Sequence, residues 1–174
     1  MKKLSYLVLF FLLAIPVSAQ NQFKLSSIPF LLSWHNTSKS FQMTDINKRI
    51  STIPHNLIIH NRPVDYEIEK DRISITAAGK TNLFNSPSGK SKVANAPLIL
   101  FEPEADFTMS ARVTGKLKSI YDVAALVIYQ DDDVWAKFCY ENSVHLQPTI
   151  VSVVTRTFSD DCNSMPCLLY TSPS

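Results

Sequence analysis

Apolar and polar residues alternate with a period of two over much of this chain, which marks strands rather than helices. Across residues 107–113 Phe107, Met109, Ala111 and Val113 fall on one parity, with Thr108, Ser110 and Arg112 on the other. That is one buried and one solvated face of a half-buried strand. Residues 72–76 alternate likewise, with Ile73 and Ile75 directed inward. Residues 123–129 are apolar without a break, as in a central strand covered on both faces. Residues 134–140 and 150–158 are rich in β-branched and aromatic side chains, the types that favour a pleated sheet. Turn-forming runs separate these segments: Ala78-Gly79-Lys80, Asn85-Ser86-Pro87-Ser88-Gly89, Gln130-Asp131-Asp132-Asp133 and Asn142-Ser143. Many short strands, frequent turns and no helical period predict an antiparallel all-β sandwich or barrel.

The two ends follow other rules. Lys2 and Lys3 precede an apolar run over residues 4–17, and Val17-Ser18-Ala19 then offers small residues at a cleavage position. That is the pattern of an export leader, too short for a membrane span of about 20 residues. The expected product is exported, periplasmic or extracellular, begins near Gln20 and keeps no stable membrane span. The leader is expected as a detached helix. At the other end, Cys167-Leu168-Leu169-Tyr170-Thr171-Ser172-Pro173-Ser174 resembles a translated sequencing-library adapter. It is set aside as a scar, and the native sequence is expected to continue past Pro166. The expected organisation is therefore a signal peptide at 1–19, an N-terminal segment with extra strands at 20–56, a sandwich domain truncated at its C-terminus at 57–166, and the adapter at 167–174. Truncation is expected to leave residues 123–129 and 150–154 uncovered.

Charge excludes one class of partner. Seventeen Lys and Arg stand against fifteen Asp and Glu, and without Lys2 and Lys3 the counts are equal. A neutral domain lacks the basic footprint of nucleic-acid binding. The three glycines, Gly79, Gly89 and Gly115, are spaced too widely for a phosphate-cradling loop. Of the three cysteines, Cys139 and Cys162 lie inside the expected domain, where a disulfide between them and two free thiols both remain open. No C-x-x-C occurs and His35, His55, His60 and His145 are scattered, so neither a metal nor another cofactor is expected. Asp131-Asp132-Asp133 reads as a soluble turn rather than a calcium loop.

One stretch carries a resemblance. Tyr121-Asp122 opens an Ala-rich strand, Asp131-Asp132-Asp133 forms an acidic turn, and Trp135, Lys137 and Glu141 follow in a Trp-x-Lys-x3-Glu pattern. Thr155-Arg156 and Ser159-Asp160 complete it, with Asn61-Arg62-Pro63 upstream as a diverged opening segment. This set resembles the uncharacterised family named after the regulation-of-enolase protein. The specific part spans residues 121–160 and the loose part 57–163. Asp161 stands where that family commonly has Trp. The resemblance implies a concanavalin A-like jelly roll, related to lectins and glucanases, a superfamily that hosts both binding modules and hydrolases.

Parity places Trp135, Lys137, Cys139 and Glu141 on one face of their strand and Ala136, Phe138 and Tyr140 on the other. The second set is expected to pack the core. The first offers an aromatic platform beside charged groups, a way to hold a sugar ring. Lys137 and Glu141 are roughly 13 Å apart along the strand, so Arg156 is the expected partner of Glu141 and Asp160 that of Lys137. The candidate ligand-binding set is Trp135, Lys137, Glu141, Arg156, Ser159 and Asp160, and a glycan is the expected partner. The closely spaced carboxylates of a retaining glucanase have no counterpart, since the only Glu-x-Glu spacings are Glu67-Ile68-Glu69 and Glu102-Pro103-Glu104. The first reads as an edge strand and the second as a loop, so no catalytic residue is assigned. An exported, non-catalytic binding domain is expected, with a glycoside hydrolase or lyase, or a purely structural module, as the alternatives.

Overall fold

The structure is a computed structural model that describes residues 6–13, 22–31, 44–46, 48–53, 55–103, 108–115 and 117–166. The proposed cleavage site, Phe107 and residues 167–174 lie outside this set. The described residues form fourteen strands and no helix: β1 (Tyr6–Leu13), β2 (Gln22–Leu31), β3 (Thr44–Asp45), β4 (Ile58–His60), β5 (Asp65–Ile68), β6 (Ile73–Thr76), β7 (Leu83–Asn85), β8 (Lys92–Ala94), β9 (Leu98–Phe101), β10 (Thr108–Gly115), β11 (Val123–Asp131), β12 (Val134–Asn142), β13 (Pro148–Arg156) and β14 (Phe158–Pro166). Every strand pairing is antiparallel. The all-β class expected from the period of two is the class observed.

The strands make three layers. The central one is an eight-stranded sheet in the order β14-β13-β12-β11-β1-β9-β4-β3. A four-stranded sheet, β10-β2-β6-β5, covers one of its faces, and the β7-β8 hairpin lies over the other. Alternation along each central strand supplies both interfaces. Ile59, Ile99 and Phe101 meet Ile73 and Ile75 in one cluster, with Met109, Ala111 and Val113 of β10 packed against it. Leu98, Leu100, Val123, Ala125, Val127 and Tyr129 turn the opposite way and pack with Leu83, Ala96 and Trp135. Strand β11 is covered on both faces, which is why residues 123–129 carry no polar position.

Two expectations are corrected. Tyr6–Leu13 is an interior strand rather than a detached helix, hydrogen-bonded to β11 on one side and β9 on the other. Its sequence, YLVLFFLL, has no charge that a strand covered on both faces would exclude. Residues 123–129 are consequently covered, not exposed. Secondly, the core side of β12 is the reverse of that expected. Trp135, Lys137 and Cys139 are buried, whereas Phe138 is 41% and Val154, on the same outer face, 52% exposed. The four-stranded sheet packs against the part of the central sheet around β11, β9 and β4, and the outer face of β12-β13 lies past it. The pairing register also separates the two cysteines. Cys139 shares a row with Asn163, and Cys162 shares the neighbouring, oppositely directed row with Phe138, so both are free thiols.

The hairpin layer is anchored to the acidic turn. Lys92 pairs with Asp133 at 2.7 Å, and Asn85 Nδ2 donates to the carbonyls of Asp132 and Thr157. Tyr129 Oη donates to Asp132 at 2.5 Å and lies 3.4 Å from His60 Nε2. Asp132 and Asp133 thus tie the β11-β12 turn to its surroundings, and among the described residues no cluster of carboxylate, His or Cys side chains is placed to hold a metal ion. Gly89 closes the adjacent turn at φ +71°, where a Cβ would stand 3.4 Å from the Phe158 ring. The left-handed backbone opposes a side chain there, while the ring at that distance would be an ordinary van der Waals neighbour. Gly89→Ala should therefore lower stability by about 1–2 kcal/mol, read as a shift in the urea midpoint at constant slope.

Candidate functional site

The ladder β11-β12-β13-β14 aligns four rows on the face beneath the β7-β8 hairpin. Tyr129, Trp135, Thr155 and Ser159 form the first, and Val127, Lys137, Val153 and Asp161 the second. Ala125, Cys139, Val151 and Asn163 form the third; Val123, Glu141 and Thr149 the fourth. The first row is sealed. Trp135 is 3% exposed, Thr155 and Ser159 share a hydroxyl hydrogen bond of 2.8 Å, and Ser159 Oγ accepts from the Asn85 amide at 2.9 Å. These groups clamp β7 onto the sheet.

From the second row onward the cover gives way to a cavity of about 640 Å³. Lys137, Glu141 and Asp161 line it from the sheet, with the rings of Phe84 and Tyr121 and the side chains of His145 and Gln147 around them. Lys137 is 5% exposed. Its Nζ donates to the Leu83 carbonyl at 3.0 Å and sits 5.6 Å from the centre of the Trp135 ring. Burial drives the ammonium pKa down, against an upward pull from Cys139, Glu141 and Asp161. Glu141 is shifted oppositely: burial raises its pKa, Lys137 lowers it and Asp161 raises it further. Among the described residues the Glu141 carboxylate has no hydrogen bond or ion pair. Burial pushes the Cys139 thiol up to about 12, so it is an inert core group.

Tyr121 reaches the cavity by an unusual backbone. Its φ is +61°, a conformation that costs free energy for a side chain with a Cβ and has to be held by its surroundings. The neighbours hold it. Asp122, buried, accepts from the Lys118 and Ser119 amides at 2.8 and 2.9 Å. The Tyr121 amide donates to the Asn142 carbonyl, the Asn142 amide to the Asp122 carbonyl, and Asn142 Nδ2 to the Ser119 carbonyl. The Tyr-Asp pair is thus a turn lock that leaves the Tyr121 ring 41% exposed at the cavity.

Of the six residues expected at the site, Lys137 and Glu141 line the cavity, while Trp135 lies in the sealed row beside it and is 3% exposed. Ser159 is part of the clamp. Arg156 and Asp160 are exposed, and neither expected ion pair forms: Arg156 aligns with Val134 and Asp160 with Val154, whereas Glu141 aligns with Thr149 and Lys137 with Val153. The partner of Lys137 by row is Asp161, which parity along β14 identifies once the Ser159 face is known to point inward. Phe84, Tyr121 and His145 come from other elements, and no spacing in the sequence connects them to Lys137.

The chain belongs to the family described as "Protein of unknown function (DUF1349)", which it matches over residues 59–167. No curated protein and no solved structure matches it.

Glu141 supplies a test of the site's electrostatics. Its raised pKa means that the folded state binds the proton more tightly than an unfolded chain, whose Glu titrates near about 4.3. The associated stabilisation is complete below that pH and disappears as pH rises through the folded pKa. Wild-type stability relative to Glu141→Gln should fall over that window and then level off, as measured by urea melts from about pH 4 to 7. A flat difference would show that the carboxyl is not desolvated.

Proposed function

We propose that this is an exported, non-catalytic β-sandwich domain that binds a carbohydrate in the cavity over β12-β14. The observation that carries the reading is the Glu141 carboxylate: desolvated, without a hydrogen-bond donor among the described residues, and placed in a cavity shared with Lys137 and Asp161. The Glu141 oxygens are not among the fully buried unpartnered polar atoms, so they open onto the cavity, where a ligand hydroxyl would supply the donor that the protein does not. Sugars present donors and acceptors around an apolar ring face. The Phe84 and Tyr121 rings replace Trp135 as the apolar contact, and the charged groups take the hydroxyls. The resemblance to concanavalin A-like proteins agrees with a ligand on a covered sheet face, and the apolar leader motivates the export assignment.

A second reading rests on the same two carboxylates. A Glu with a raised pKa suits a general acid, and Asp161 is close enough to influence it electrostatically. That arrangement is compatible with a glycoside hydrolase or lyase.

A glycan array followed by calorimetry distinguishes the two. Tyr121→Ala and Asp161→Asn should each weaken the best ligand at least tenfold, about 1.4 kcal/mol, while thermal midpoints stay within a few degrees of wild type. Glu141→Gln should cost less than about 1 kcal/mol of stability, the scale of a carboxylate with no close partner. Binding that survives all three substitutions would sink the assignment. Turnover of a polysaccharide panel, abolished by Glu141→Gln and Asp161→Asn, would replace binding with catalysis.

A further inference from the structure

The charges around the cavity over β12-β14 are not matched from the protein side. Glu141 and Asp161 both line it, and among the described residues neither takes part in an ion pair. Asp161 accepts a hydrogen bond from Asn163 Nδ2 at 3.4 Å. Among the described lining residues Lys137 is the one ammonium or guanidinium, and His145 stands exposed at the rim. The Lys137 ammonium is turned toward the sealed row: Nζ donates to the Leu83 carbonyl and lies over the Trp135 ring. Desolvation raises the Glu141 pKa despite Lys137, as expected of a carboxylate short of a cation.

The register also separates the two carboxylates. Asp161 lies in the Lys137 row two strands away, and Glu141 lies four residues along β12 from Lys137. With about 4.8 Å between strands and 3.3 Å per residue, their alpha carbons are roughly 16 Å apart. Two carboxylates so spaced are no chelate, because a hard metal ion gathers six to eight oxygens at one point. They address separate positions on an extended ligand. The cavity, about 640 Å³, has the size of an organic-ligand site, and the Phe84 and Tyr121 rings within it favour both a sugar face and a cation.

We propose that the cavity selects an amino-sugar oligomer with free, protonated amines, one ammonium held by Glu141 and another by Asp161. This rests on the carbohydrate reading above and narrows it to a cationic glycan. An ammonium has three donors and no acceptor, which suits carboxylates that lack donors. A uronic or sialic acid would meet two like charges, and N-acetylation would remove the charge that the site rewards.

Calorimetry on the full chain would compare short glucosamine and galactosamine oligomers with the same oligomers N-acetylated and with uronic acid oligomers. The free amine should bind at least about tenfold more tightly than its acetylated counterpart, because its hydrogen bonds are charge-assisted. That preference should shrink at about 1 M salt, where screening acts within about 3 Å. Glu141→Gln and Asp161→Asn should each reduce it, and together abolish it, as effects at well-separated sites add. Equal affinity for free and acetylated oligomers, both weakened by Tyr121→Ala, would overturn the amine and leave the carbohydrate reading standing. Tighter binding of a uronic acid oligomer would do the same. Spermidine binding as tightly as the amino sugar would overturn the sugar, and no binding by any oligomer would overturn both readings.

Discussion

The strict register of the β11-β12-β13-β14 ladder is the constraint on which everything else depends. Side chains alternate across a sheet, so a slip of one residue would exchange every inward position for an outward one. In the observed register Trp135, Lys137, Cys139 and Glu141 share a face with Asp161 and Ser159. One end of that face is an aromatic core and the other an ionisable cavity. The Thr155-Ser159-Asn85 hydrogen bonds hold β7 where its Leu83 carbonyl meets Lys137. Buried polar groups are tolerated where they find partners; the hairpin supplies them to Ser159 and Lys137, whereas Trp135 Nε1 beneath it and Asn85 Oδ1 within it have none among the described residues.

Many of the residues that carry the family resemblance are scaffolding. Asp122 closes a turn, Asp132 and Asp133 fasten the acidic turn to Tyr129 and Lys92, and Ser159 clamps β7. Asn61 reaches the carbonyls of Ala94 and Ala96 through its Nδ2, fixing the far side of the hairpin. The cavity is built partly by accidents of proximity among these devices. Tyr121 reaches it because Asp122 and Asn142 hold the backbone of the turn, and Phe84 because it lies beside the clamped Leu83 and Asn85.

The outer face of β12-β13 shows how parity can mislead. Ala136, Phe138 and Tyr140 are the more apolar set on β12, and an amphipathic strand ordinarily buries that set. Here the four-stranded layer packs around β11, β9 and β4, and the β7-β8 hairpin covers the opposite face instead. A mixed set including a lysine was therefore buried, at the cost seen in the shifted pKa values of Lys137 and Glu141.

Local patterning was sufficient to determine the all-β class, the β11-β12 turn at the three aspartates, the inward faces of β6 and β10, and the double coverage of β11. Each of these depends on neighbours in sequence, through side-chain alternation and turn preference. It also gathered Lys137 and Glu141 on one face, because parity within a strand is local. Which face became the interior, which residue stood opposite Lys137, where the hairpin stopped, and which strand filled the place between β9 and β11 were decided by tertiary structure alone. Those outcomes depend on contacts between segments tens of residues apart, and alternation within a strand divides its side chains into two sets without saying which set another layer will cover.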